Sequence, residues 1–292
     1  MQYLSHWAAL RFWKVPYLKS IFKFEMQQVH FSEYTAFSRE DRYPNKGRLV
    51  HLWSTPVPDN WKIRLKGIAV VAPELAYVQL AAQLDNIKLI LLGMLMCALP
   101  NETGQKPVTN KQRMIRRIGT LPNVKGKAKA LLALQYVEDQ CRSPLEALLH
   151  MILSLPHSLG GYHLTGFIFN HEIIYCPENA KSVGKKNGFA DLFHRLMNLI
   201  LEYDSKEFHS DPESLAYDAK RTTAMIREGY DIYHIRTEQF YDEEKFVIYM
   251  HNVADKLGVR VRIRNKSFKR MNARIRSLFP RLKFLGTPPL KR

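Results

Sequence analysis

Two short segments give the clearest indication of the fold of the second half of this chain, namely Leu199-Ile200-Leu201-Glu202-Tyr203-Asp204 and, before it, Phe189-Ala190-Asp191-Leu192-Phe193. Both segments have the pattern of short apolar strands, and the five residues between them suit a hairpin connection. Because side chains alternate along a strand, Glu202 and Asp204 share a face, and Asp191 can face the same side from across the hairpin. Ionised groups are costly in a sheet unless they pair or hold a cation. The hairpin therefore predicts an acidic centre.

The residues around the hairpin predict an α/β domain with the order α-β-β-β-α-β-α and helices on the faces of a sheet. The predicted elements are a helix from Ser143 to about Leu155, a strand from Phe167 to Tyr175, a loop from Pro177 to Lys186, the two hairpin strands, a helix from Pro212 to Glu228, a strand from Tyr230 to Arg236 and a helix from Asp242 to Leu257.

We expect three regions. Residues 1–135 form a mostly helical α+β domain that binds DNA or a partner, residues 136–258 form the α/β domain, and residues 259–292 form a basic tail. In the first region, Gly67 to Val71 has the β-branched pattern of a strand, and Pro73 opens a helix.

The charge of this protein is concentrated at its carboxyl end. The formal net charge is +17, and the last 34 residues carry twelve cations and no acid, which leaves about +5 for the remainder. Such a segment favours a polyanionic partner, most simply DNA, although a solvated tail that aids solubility is the alternative. The twelve cations are Arg260, Arg262, Arg264, Lys266, Lys269, Arg270, Arg274, Arg276, Arg281, Lys283, Lys291 and Arg292, and we expect the first eight to contact nucleic acid.

The composition argues against several other classes of protein. Cys97, Cys141 and Cys176 are widely spaced, which disfavours a structural zinc site and a disulfide framework. The longest apolar run, Leu89 to Leu99, is too short to span a bilayer. We therefore expect a soluble, cytoplasmic protein without a membrane partner, and nothing in the sequence indicates a small-molecule cofactor.

The acidic centre has a chemical interpretation. Carboxylates suit a hard cation such as Mg²⁺, and Asp191, Glu202 and Asp204 are the candidate ligands. A bound Mg²⁺ can activate water against a phosphodiester. Lys206 and His209, on the loop that follows, are candidates for proton transfer and for contacting the leaving phosphate.

These residues, in this order, resemble the PD-(D/E)xK nuclease superfamily, and within it the group related to very-short-patch-repair endonucleases. The resemblance covers roughly residues 136–257 and implies a restriction-endonuclease-like core and metal binding by the first acid and the strand acids. It also implies that Glu146, on the helix before the sheet, joins them, and that Asp218 and Arg221 on the next helix support the site. The motifs are Phe189-Ala190-Asp191-Leu192, Leu201-Glu202-Tyr203-Asp204-Ser205, His209, Asp218-Ala219-Lys220-Arg221 and Gly229-Tyr230-Asp231-Ile232.

The first half resembles the amino-terminal region of proteins grouped with regulators of abortive-infection toxin–antitoxin systems. The residues that carry this resemblance are Ser5-His6-Trp7-Ala8-Ala9-Leu10 and Ala72-Pro73-Glu74-Leu75-Ala76-Tyr77. It implies DNA binding more than any specific chemistry.

The superfamily pattern places Lys two positions after the strand Glu, and this chain has Asp204 there. Two alternatives stay open: a shifted register, Asp204-Ser205-Lys206, or assistance by His209, as the resemblance to the repair endonucleases implies.

Several of the candidate site residues are also consistent with purely structural roles. Glu146 completes a capping box with Ser143. Asp218 and Arg221 are spaced for a surface ion pair. His209 is equally consistent with an exposed loop residue.

Two hypotheses follow: an Mg²⁺-dependent DNA endonuclease in repair or defence, or a non-catalytic, antitoxin-type DNA-binding regulator on a degenerate nuclease scaffold. The sequence leaves the oligomeric state, the recognised DNA and the biological pathway open.

Overall fold

The computed structural model describes residues 2–23, 26, 29–34, 48–53, 58–65, 67–100, 106–204 and 212–278. Within these ranges the protein is a mixed α/β structure with two mixed sheets and twelve α-helices. The predicted α/β class is confirmed at this level.

The first half contains a five-stranded sheet in the order β3-β2-β1-β5-β4, with parallel β2–β3 and β1–β5 pairs and antiparallel β1–β2 and β4–β5 pairs. Its elements are β1 (Gln2–Leu4), α1 (His6–Phe12), α2 (Leu18–Ile21), β2 (Val29–Tyr34), β3 (Arg48–Trp53), β4 (Lys62–Leu65), β5 (Ile68–Val71), α3 (Pro73–Ala81), α4 (Asn86–Met96), α5 (Lys111–Gly119) and α6 (Lys127–Leu134).

The longest apolar run forms helix α4, which is buried in the protein. Asp85 caps its first turn by accepting a hydrogen bond from the Lys88 amide at 3.1 Å. Leu89 and Leu92 are fully buried, which is typical of a helix that is apolar on all sides. In the described part of the chain, no helix has the length and apolar character needed to cross a membrane.

The second half contains a four-stranded sheet in the order β6-β7-β8-β9. The first three strands are antiparallel neighbours, and helix α9 returns the chain so that β9 runs parallel to β8. Its elements are α7 (Pro144–Ser154), β6 (Phe167–Ile174), α8 (Pro177–Val183), β7 (Asn187–His194), β8 (Leu199–Asp204), α9 (Pro212–Arg227), β9 (Asp231–Arg236), α10 (Thr237–Tyr241), α11 (Glu243–Lys256) and α12 (Phe268–Ser277).

The predicted hairpin is confirmed, with Leu192 opposite Leu201 and Phe193 opposite Ile200. The predicted loop from Pro177 to Lys186 is wrong over most of its length, because Pro177–Val183 is helix α8. Proline suits the first helical position, and Asn179 is buried with its amide donating 2.7 Å to Glu228, the residue that follows α9.

One apolar core extends through both halves of the chain. It joins residues of α1, α3 and α4 to α7, α11 and α12, and includes Leu199 and Leu201 of β8. A smaller cluster containing Phe193 and Ile200 lies on the other face of the second sheet. Because Glu202 follows Leu201 in the alternation along β8, its side chain lies on the face of the smaller cluster.

Helix α12 makes part of the basic segment a component of the folded body. Phe268, Asn272 and Ile275 are buried, and the Asn272 side chain donates 2.8 Å to the Gly160 carbonyl. Gly160 has a φ of +90°, and a Cβ atom there would lie 2.5 Å from the α12 backbone. The idea of a wholly solvated tail is therefore wrong for residues 268–278. Arg281, Lys283, Lys291 and Arg292 lie outside the described residues.

Candidate functional site

Asp191 lies where strands β7 and β8 part. Their last paired residues on this side are Leu192 and Leu201. Beyond that pair, the Asp191 carboxylate accepts a hydrogen bond from the Tyr203 amide at 2.9 Å. The side chain thus replaces a bond of the ladder, and the carboxylate is fixed by the backbone of the neighbouring strand.

Glu202 is paired with an arginine from the crossover helix. Its side chain is buried, and its Oε1 atom lies 2.8 Å from a guanidinium nitrogen of Arg221 on α9. The same nitrogen donates 2.6 Å to the Phe189 carbonyl on β7. Arg221 therefore ties α9 to both hairpin strands and supplies the counter-charge of Glu202, while Asp218, one turn earlier on α9, is exposed.

Glu146 enters the site from the first turn of α7 and is buried. Ser143 caps this helix, since its hydroxyl accepts from the Glu146 amide at 3.2 Å. The Glu146 carboxylate accepts from the Arg142 amide at 2.9 Å, one residue before the cap. Of the two hydrogen bonds of the predicted capping box, the one to the Ser143 hydroxyl is formed, whereas the Glu146 carboxylate bonds to the Arg142 amide and not to that of Ser143. Capping therefore does not by itself account for the position of the Glu146 carboxylate.

The three carboxylates act on one another electrostatically. Burial, and then the charge of Asp191, raise the pKa of Glu146 to about 8, and the same two causes raise the pKa of Glu202 to about 8. Burial also raises the pKa of Asp191, against the opposing effects of the Tyr203 amide and of Arg221. The surrounding amides and arginines therefore do not fully offset the cost of ionising all three carboxyl groups in this buried centre.

Arg142 is a member of the centre that the sequence did not predict. Its guanidinium lies 4.3 Å from the centroid of the Phe189 ring, and its Nε atom is buried without a hydrogen-bond partner in the described part of the chain. Burial lowers its pKa, opposed by the charges of Glu146 and Asp191. No motif marks this arginine, because its role depends on its position just before α7.

The remaining predicted site residues are only partly placed. Asp204 ends strand β8, but its side chain lies outside the described residues, as do Lys206 and His209 entirely. The structure therefore brings together Glu146, Asp191, Glu202 and Arg221 of the predicted set.

The donor set fits a hard divalent cation in its chemistry. Three carboxylates supply oxygen ligands, and a cation would relieve the repulsion that raises their pKa values. Within the described residues, however, no group of three or more His, Cys, Asp or Glu side chains is arranged to hold an ion. A cation would also compete with Arg221 for Glu202. Glu146, Asp191 and Glu202 are thus chemically suitable ligands, but their side chains do not form a complete coordination site.

The predicted nucleic-acid contacts divide into two groups. Arg276 is engaged in packing, with its guanidinium bonded to the Phe240 carbonyl and 5.0 Å from the Phe246 ring centroid. Arg274 is exposed but pairs with Asp85 at 2.6 Å. The other predicted contacts have exposed side chains, namely Arg260, Arg262, Arg264, Lys266, Lys269 and Arg270.

Comparison of this chain with protein-family models, curated proteins and solved structures finds no match. The resemblance to the repair endonucleases therefore stays a prediction.

Proposed function

We propose that the second half of this chain is a nuclease-like domain that hydrolyses phosphodiester bonds of DNA with the help of Mg²⁺, in repair or defence. The observation that carries the proposal is the convergence of Glu146, Asp191 and Glu202 from three separate elements into one electrostatically coupled, largely buried centre. Perturbed carboxylates that cluster in this way are more common at functional sites than elsewhere.

The order of the elements also supports the proposal. Helix α7, strands β6 to β8, helix α9 and strand β9 follow one another along the chain, with the short helix α8 inserted between β6 and β7 and with the last two strands parallel. Apart from α8, this is the α-β-β-β-α-β order that the resemblance to the PD-(D/E)xK nucleases implies. The acidic residues lie on the first helix and on the second and third strands of that order.

Each residue of the centre has a role in the proposal. Glu146, Asp191, Glu202 and Asp204 would hold Mg²⁺, which supplies Lewis-acid chemistry toward a phosphodiester. The Tyr203 amide fixes the orientation of Asp191. Arg221 holds Glu202 in place, and the two arginines of the centre provide positive charge beside the carboxylates, which suits an approaching phosphate. Lys206 and His209 remain candidates for proton transfer.

The test is nicking of supercoiled plasmid with Mg²⁺ or with EDTA. We expect Asp191→Asn and Glu202→Gln each to abolish Mg²⁺-dependent nicking, with Asp255→Asn, an exposed acid on α11, as the matched control. Asparagine is preferred to alanine at residue 191, because it keeps an acceptor for the Tyr203 amide, whose loss would cost about 1–3 kcal/mol. Nicking that survives both substitutions would refute the assignment.

A second candidate is a DNA-binding regulator of antitoxin type without turnover. The ion pair between Arg221 and Glu202 favours it, as does Asp204 at the position where the superfamily has Lys. This candidate predicts salt-sensitive DNA binding with no Mg²⁺-dependent hydrolysis above that of the Glu202→Gln variant. Deletion of residues 259–292 would not test it cleanly, because Ile275 of α12 belongs to the core.

A further inference from the structure

A second basic segment lies in the first half of the chain. Residues 106–137 contain eight cations and no Asp or Glu, and the segment includes α5, α6 and the turn between them. The cations are Lys106, Lys111, Arg113, Arg116, Arg117, Lys125, Lys127 and Lys129. Arg113 and Arg117 are paired with the buried Glu74, and the charge of Lys111 acts on Glu138, just after the segment. The remaining five cations are Lys106, Arg116, Lys125, Lys127 and Lys129.

The fold brings this segment next to the basic helix α12. The Lys129 side chain of α6 donates to the carbonyl of Leu84. Arg274 of α12 donates 2.6 Å to the carboxylate of Asp85, the next residue. The turn at Leu84 and Asp85 is thus contacted by the basic segment of the first half and by the basic helix α12 of the second half. Lys129 and Arg274, which are 145 positions apart in the sequence, therefore contact neighbouring residues in the fold.

Both helices are held firmly against the body. At Gly126, just before α6, a Cβ atom would lie 2.3 Å from the Val78 carbonyl oxygen, so α6 approaches α3 closely. Helix α12 is anchored by Phe268 and Ile275 in the core. Concentrating like charges on rigid elements costs free energy unless a polyanion neutralises them. The arrangement is therefore better suited to binding than to solubility.

We propose that α5, α6, the turn between them and α12 form a single face that binds the phosphate backbone of duplex DNA. This inference rests on the proposed function only in taking DNA as the polyanion. The exposed cations of the face include Arg116, Lys125, Lys269 and Arg270. A membrane surface fits α12 less well, because its apolar side chains Phe268 and Ile275 are buried in the core and are not available for insertion.

The experiment measures binding of a short labelled duplex DNA by fluorescence anisotropy in EDTA, as a function of salt concentration. The two face variants are Arg116→Gln with Lys125→Gln, and Lys269→Gln with Arg270→Gln. The matched control is Lys181→Gln with Lys186→Gln, two exposed lysines on and beside α8. Each face variant should lower the magnitude of the log–log salt slope by about 1 for every phosphate that is no longer neutralised, while the control leaves the slope unchanged.

Lys125→Arg with Lys269→Arg keeps the charge and should keep the wild-type slope, which separates loss of charge from loss of fold. Wild-type slopes in both face variants, or an effect of the α12 variant alone, would overturn the single face. So would a wild-type protein that binds anionic vesicles but not DNA. Since EDTA is present, a failure of this test is distinct from a failure of Mg²⁺-dependent nicking: a protein that binds through this face without cutting refutes the nuclease and retains the inference.

Discussion

Arg221 of the crossover helix and Glu202 of strand β8 form an ion pair of 2.8 Å at the side of the second sheet that carries the smaller apolar cluster. The pair lies beside Asp191, whose charge raises the pKa of Glu202 and favours the positive charge of Arg221. Arg221 therefore serves two carboxylates, and its removal should affect the whole centre.

We expect Arg221→Met to lower the free energy of unfolding by about 3–5 kcal/mol above pH 8, where Glu202 is ionised and the substitution leaves its buried carboxylate without a counter-charge. The double variant Arg221→Met with Glu202→Gln should lose less than the single variant. Urea denaturation of all three proteins measures the difference. Equal losses in the single and double variants would show that Arg221 contributes by packing and not through the ion pair.

The pH dependence of stability should follow the raised pKa values of Glu146 and Glu202. Their folded pKa of about 8 lies above the ordinary value of 4.5, so the folded state holds more protons between these limits. The contribution of these two groups to the free energy of unfolding is thus fully present below about pH 4.5 and is lost as the pH rises through 8. Urea midpoints of wild type and of Glu146→Gln with Glu202→Gln test this, and the double variant should show a smaller decline over that range.

Mg²⁺ should stabilise the wild-type protein more at pH 8 than at pH 6, because protons compete with the cation for the carboxylates. The measurement is the shift in the melting temperature on addition of MgCl₂ at the two pH values. Asp191→Asn should remove the shift and Asp255→Asn should retain it. A shift of the same size in Asp191→Asn would place the bound ion elsewhere.

Ser143→Ala should cost about 1 kcal/mol of stability, since the hydroxyl of Ser143 caps α7 by accepting from the Glu146 amide at 3.2 Å. Glu146→Gln should have a different signature, because the Glu146 carboxylate bonds to the Arg142 amide and takes part in the acidic centre. Only Glu146→Gln is expected to change Mg²⁺ binding, which isothermal titration would measure. Equal loss of Mg²⁺ binding in both variants would mean that Glu146 acts through the helix cap.

Gly160→Ala should be more destabilising than Gly184→Ala, although both positions have positive φ. At Gly160 the added Cβ atom would also clash with the α12 backbone, whereas at Gly184 no atom lies within 4 Å. We expect about 1–2 kcal/mol for the strained backbone at each site, with the further cost of displacing α12 at Gly160 only. Thermal melting gives the comparison, and limited proteolysis near α12 should become faster in Gly160→Ala alone.

The hairpin and the order of the second half could be predicted because local patterns determine them. The apolar run marks β8, and the connection to it is four residues long, one fewer than predicted, because His194 still pairs with Leu199. Helix α8 was not predicted because it is only seven residues long and mostly polar. It is held in place by tertiary contacts such as that of Asn179 with α9. Strands β1 to β3 escape it too, since β1 pairs with the distant β5 and β2 pairs in parallel with β3. Strand β4 was not predicted either, although it pairs locally with β5.

The candidate site was predictable in its acids and, through the family resemblance, in Arg221. Asp191 and Glu202 stand out as charges inside apolar strands, and Glu146 emerges through the family resemblance. The partner of Glu202 could not be inferred from the strands, because Arg221 reaches it from a helix nineteen positions later. Arg142 gives no signal at all, and the approach of α6 and α12 to the same turn at Leu84 and Asp85 depends on tertiary packing alone.

The apolar core that both halves share has a consequence for how the protein unfolds. The Tyr17 hydroxyl donates 2.5 Å to the Arg142 carbonyl, so the first half is fastened to the chain just before α7 as well as through the apolar interior. Heating should therefore melt both halves in one cooperative step, and a fragment cut near residue 135 would expose interior surface on each piece. Destabilisation of the amino-terminal sheet would then also destabilise the acidic centre, because both belong to one cooperative unit.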